Sequence, residues 1–171
     1  KTRQVKITAA ESFRMEYHTC LEGAESEVVI PYTEGLIGFY KQNYSLAETQ
    51  FNRVLECRPQ DVFWGFEARV MLWRAWFMQM DQLQLEQVDE MERHYDAYRM
   101  ALSRNNHLSE YQKTCYRNFG KYFARLIHIL LQIQQDQQQK ALAELYDTCQ
   151  KTAQITNKPW LIAAIEKHLQ R

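Results

Sequence analysis

Glycine and proline are scarce, five and three in 171 residues. Such thin punctuation speaks against many short strands with tight turns and favours long helices joined by short connections. Neither sign of charge prevails, with 21 Lys and Arg against 21 Asp and Glu. The zero balance removes any global electrostatic case for nucleic acid or an anionic membrane as partner, while leaving room for a local patch. The cysteines Cys20, Cys57, Cys115 and Cys149 form no CxxC pair, and the one close histidine, His18, stands alone beside Cys20. Zinc therefore has no ligand set of ordinary spacing. Cys57 follows Val54 by three, Cys115 lies four from Tyr111 and Phe119, and Cys149 follows Leu145 by four. That spacing predicts reduced core thiols, which points to a reducing compartment and a cytoplasmic location.

Leader, lipidation and membrane-spanning patterns are also missing, although the chain begins at Lys1 and is expected to be a piece of a longer protein. The histidines His18, His94, His107, His128 and His168 pair neither with each other at i,i+4 nor with an acid in an HExxH frame. Nucleophile elbows and phosphate loops are lacking. Glu90 and Glu92 lie two apart, which aims them at different helix faces. The expectation is no enzyme, no catalytic residue, no metal and no cofactor.

What is present is hydrophobic content of 46% at helical spacing. The richest stretch is Val62 to Met80. Trp64, Ala68, Met71, Leu72, Ala75 and Trp76 make one stripe there, and Phe63, Phe66, Val70, Trp73 and Phe77 fill the rest of the circumference. A helix apolar nearly all round must be covered on several sides. Glu67, Arg69 and Arg74 interrupt it too often for a bilayer. This segment is predicted to be the central helix of an all-α protein.

Around it, Thr8 with Glu11 predicts a cap for a helix running to about Leu21 and stopped by Gly23. Val28 to Pro31 reads as a short strand or, preferably, as the entry of a helix started by Pro31 and continuing through Phe39 and Tyr40. Ser45 with Glu48 predicts a capping box, Asp61 a cap for the central helix, and Asp81 with Gln84 the start of the next, broken at Asn105-Asn106. Ser109 with Gln112 opens a long helix to about Gln132. The glutamine-rich tract 132–140 is expected to turn near Asp136, and Asn157 with Pro159 to begin the last helix. Seven or eight helices result, joined by turns that make neighbours antiparallel.

Tyr44, Ala47, Phe51, Val54 and Pro59 fall in the order of one tetratricopeptide repeat unit, with Gly35 at the small position of its first helix and Gly38 in place of the usual aromatic. Ala47 lets the paired helices approach and Phe51 fills their seam. With NFGKYFARLIHILL and NKPWLIAAIEKHL, residues 30 to 170 are similar to the C-terminal tetratricopeptide-like region of large uncharacterised bacterial proteins. The resemblance implies antiparallel helix pairs stacked as a right-handed α-solenoid of about seven helices. It implies a single domain over 1–171, with 1–25 ending a preceding unit and 159–171 capping the array.

The expected function is a non-catalytic scaffold binding a peptide or partner protein on a concave surface. The alternative is a regulatory or sensory domain of a larger bacterial protein. Lys113, Arg117, Lys121 and Arg125 recur every fourth residue and form a basic ridge about 18 Å long, suited to an acidic peptide, a carboxy-terminus or a phosphate-bearing partner. The plainer alternative is a solvated face paired with Glu86, Asp89, Glu90, Glu92 and Asp96 of the preceding helix. Trp73, about 100° round from Leu72, is expected to be exposed, and Tyr40, Asn43 and Tyr44 are expected at a turn beside the inner wall.

Overall fold

The computed structural model describes residues 2–17, 24–57, 61–80 and 85–170. Eight helices and no strand occur among them: α1 Thr2–Tyr17, α2 Ala24–Tyr40, α3 Tyr44–Glu56, α4 Val62–Met78, α5 Leu85–Arg104, α6 Glu110–Gln132, α7 Gln135–Lys151 and α8 Lys158–Leu169. The chain divides into two compact units, Lys1–Glu92 and Arg93–Arg171.

In the first unit α1 packs on α2, and α2 packs on both α3 and α4. The first helix starts earlier than Thr8, because Ile7, buried, extends the apolar stripe upstream. Its expected end at Leu21 and Gly23 lies outside the described residues. Pro31 sits inside α2 and does not start it. Proline has no N–H to give the carbonyl four residues back. That carbonyl, Glu27 O, accepts instead from Cys57 Sγ at 3.5 Å, and Cys57 is exposed, contrary to the expected core thiol.

The turn into α3 explains a second correction. Asn43 N–H donates to Gly38 O at 2.9 Å and Gln42 N–H to Phe39 O at 3.1 Å, with Gln42 at φ 65°. This is the paired closure of a Schellman motif, made with glutamine where glycine is usual. It leaves Asn43 as the cap of α3, its side chain accepting from Leu46 N–H at 3.1 Å. Ser45 therefore lies within the first turn and Glu48 at the start of the second, neither at the boundary. Gly35 meets Phe51 across the α2–α3 seam, while Ala47, Phe51 and Val54 are fully buried.

Asp61 caps α4 as expected, accepting from Phe63 N–H at 2.9 Å. Every side chain from Val70 to Phe77 is buried. Trp73, expected outside, is 1% exposed, because this half of the helix has no outward face for a residue to occupy.

In the second unit the capping box of Ser109 and Gln112 is realised, and α6 runs the expected length. The chain then reverses over Ile133 and Gln134, with Asp136 already in the first turn of α7. The glutamine tract serves helix ends. Gln138 Nε2 donates to Ile129 O at 3.1 Å, and Gln139 Nε2 to His168 O at 3.2 Å, satisfying carbonyls that a helix terminus leaves open. Lys158 Nζ does the same for α7, donating to Gln150 O at 2.9 Å and Thr152 O at 2.8 Å. Asn157, at φ 52°, turns the chain into α8, with Pro159 in its first turn. This last helix packs on both α6 and α7.

Candidate functional site

Residues spaced by four on a helix drift about 40° per step, so a row of four turns through about 120°. The basic row on α6 accordingly does not remain one ridge. Lys113 is tied down: its side chain is 14% exposed and its Nζ lies 2.8 Å from Glu110 Oε1. That hydrogen bond, then the charges of Lys113 and Arg117, hold the Glu110 carboxyl below the usual carboxylate range. Arg117 opens instead on a groove of about 540 Å³ with Asp96, Arg99, Met100, Leu102 and Ser103. Tyr98 fastens α5 beside it, donating from Oη to Tyr116 O at 2.8 Å.

Lys121 and Arg125 wall a different groove, of about 570 Å³, between α6 and α7. Its floor is Tyr122, Ala124, Ala141 and Leu145, and its rim is completed by His128, Glu144 and Thr148. Tyr122 is held from behind by the contact of its Oη with Thr152 Oγ1 at 3.0 Å. Asn118 Nδ2, donating to Gln154 O at 2.9 Å, fixes the segment after α7 to the same helix. Lys121 Nζ lies 5.6 Å from the Tyr122 ring centre, and Lys121 and Arg125 are both exposed. Among the described residues, Arg117, Lys121 and Arg125 make no ion pair. Asp96, offered by the preceding helix, is paired with Arg99 at 3.4 Å.

The turn residues have other work. Tyr40 hydrogen-bonds Arg74, and Tyr40 and Tyr44 set their rings edge-on to Phe39 at 5.5 Å and 5.7 Å. Asn43 is the cap already described. Arg74, 6% exposed, has its Cζ 4.8 Å from the Phe39 ring centre and its Nη1 3.0 Å from Met71 Sδ. Burial lowers its pKa, and the neighbouring Tyr40 resists that shift. Tyr32 beside it is pushed the other way, well above the ordinary phenol range, by burial and then by Glu67. Sequence reasoning took Arg74 only as a reason against a membrane span. Its place inside the run Leu72 to Phe77 was the signal that the core encloses a cation.

Among the described residues no three His, Cys, Asp or Glu side chains are grouped to hold a metal ion, and no helix is long and apolar enough to cross a membrane. The site belongs to an all-helical protein of packed adjacent helix pairs. The chain matches no family model, no curated protein and no solved structure.

Proposed function

We propose that this chain is a non-catalytic interaction module that binds a peptide or a partner protein, and that the groove between α6 and α7 is its binding surface. The observation that carries the reading is the pair Lys121 and Arg125, two exposed cations without an ion-pair partner among the described residues, walling a groove with an apolar floor. Clefts of this make-up gain affinity from the floor and orientation from a few polar groups on the rim.

We further propose that the helix pairs follow a tetratricopeptide-like, right-handed solenoid order. Two features support this: α2 packs on both α3 and α4, and α6 on both α7 and α8, so each unit repeats the same pattern of near neighbours. Gly35 also meets Phe51 across the α2–α3 seam, and Gly38 stands against the backbone of Ala47 there.

Affinity selection from a random peptide library, run on the parent and on Ala141→Trp, tests the binding role. Ala141 is half-buried in the groove, so tryptophan there fills it. The parent is expected to enrich defined sequences and the variant to lose them while keeping its helical circular dichroism. Equal enrichment on both chains, or none on either, removes the groove from the account.

A further inference from the structure

The second unit already shows how its α6–α7 pair seats a third helix. Trp160 of α8 lies 6.3 Å from the ring of Phe119 and 6.1 Å from that of Phe123. Leu161 and Ile165 of α8 are fully buried, and Tyr146 Oη of α7 donates to Glu166 Oε1 of α8 at 2.9 Å. Lys121 and Arg125 each follow one of those phenylalanines by two residues, so they stand about 200° further round α6. The groove they wall is thus a second seat, on the opposite face of the same pair. Its floor residues Ala124 and Ala141 are small and half-buried, so they permit close approach and leave apolar surface for an incoming helix to cover.

We infer that this second seat takes an amphipathic helix of a partner protein, with aliphatic residues on its inner face and two carboxylates four residues apart along one flank. The inference rests on the binding role proposed above and names its ligand. Lys121 and Arg125 are one helical turn apart, about 6 Å along the axis, which is the rise between residues i and i+4 of the incoming helix. Arg125 offers a forked donor to one carboxylate, and Lys121 a point charge to the other. Across the groove Glu144 repels a second acidic row, so the acids are confined to the α6 flank and the direction of docking is fixed. Two cations facing a glutamate make a poor track for a phosphate backbone, which needs a continuous basic surface.

The test uses the whole chain and labelled helical peptides of about 18 residues, titrated by fluorescence anisotropy at roughly 0.1 M salt. One peptide carries Glu at i and i+4 on its flank, a second Gln, a third Lys. The Glu peptide is expected to bind the parent about tenfold more tightly than the Gln peptide, and Lys121→Gln with Arg125→Gln to erase that preference. Reversing both charges, Lys121→Glu with Arg125→Glu, is expected to transfer it to the Lys peptide. These side chains are exposed, and circular dichroism checks that the variants remain folded. Equal binding of Glu and Gln peptides, abolished by Ala141→Trp, overturns the inference and leaves the binding role standing. Library peptides lost on Ala141→Trp, with none of the three helical peptides bound, do the same. An oligonucleotide that outcompetes the Glu peptide and needs Lys121 and Arg125 overturns it in favour of a phosphate ligand. If neither helices nor library peptides bind in a way that Ala141→Trp affects, both proposals fall.

Discussion

Gly35 is the residue on which the α2–α3 seam turns. A Cβ placed there would stand 2.6 Å from Phe51 Cε1 and 2.9 Å from Cδ1, and Phe51 is fully buried with no room to swing. At an open helical site alanine is worth about 1 kcal/mol over glycine. Here overpacking opposes that gain at about 1–3 kcal/mol, so Gly35→Ala is expected to destabilise the chain. In a Phe51→Leu background the obstruction is gone, and the same substitution is expected to stabilise it. Guanidinium denaturation of the four chains in the cycle reads that change of sign, and losses that simply add would refute the contact. Their contact is a finding of the structure, but both positions were legible beforehand, Gly35 as the small place of the first helix and Phe51 in the seam. Trp73 was not, since an angle about 100° off a stripe means exposure only where the helix has an uncovered side. Cys57 failed differently: it follows Val54 by one turn but stands at the C-cap, where the helix ends and its thiol instead serves the carbonyl that Pro31 leaves open.

At the scale of the helix, one motif occurs twice with two outcomes. Ser109 and Gln112 form a capping box in full, each side chain satisfying the other's backbone amide. Ser45 and Glu48 have the same spacing, yet the helix begins two residues earlier, because the left-handed Gln42 closes α2 and hands the cap to Asn43. A local motif cannot reveal how the preceding helix ends, and glutamine gave no sign of the positive φ. Removing a working cap costs about 1 kcal/mol. Asn43→Ala and Ser109→Ala are each expected to lose that much, and Ser45→Ala less than about 0.3 kcal/mol, by chemical denaturation. An equal loss at Ser45 and Asn43 would return the boundary to the expected place. The basic row on α6 was likewise half legible. Its period and charge were in the sequence, but its division among a salt bridge and two grooves follows from the drift of a four-residue period around the helix and from where α5 and α7 pack.

Across the chain, the scarcity of glycine and proline and the long apolar periods carried the all-helical class and the buried helix α4. What they could not carry was the interior polarity, because a buried cation or phenol has the same letters as an exposed one. That interior sets an alkaline limit on stability in each unit. In the second, burial pushes the Cys149 thiol from 9.0 up to about 11, with Lys158 opposing weakly. In the first, burial and Glu67 raise Tyr32. A raised folded-state pKa means that the native state holds the proton more tightly than the unfolded chain does. The stability this contributes is complete below pH 9.0 for Cys149 and is lost as pH climbs toward about 11. For Cys149 alone the loss should reach about 2 kcal/mol near pH 10.5. Urea denaturation from neutral to alkaline pH is expected to show stability falling, with Cys149→Ala flattening that slope despite a lower starting value and Tyr32→Phe flattening it independently. If Cys149→Ala only shifts the curve down and leaves its slope unchanged, the thiol titrates alike in folded and unfolded chains and burial is not holding its proton.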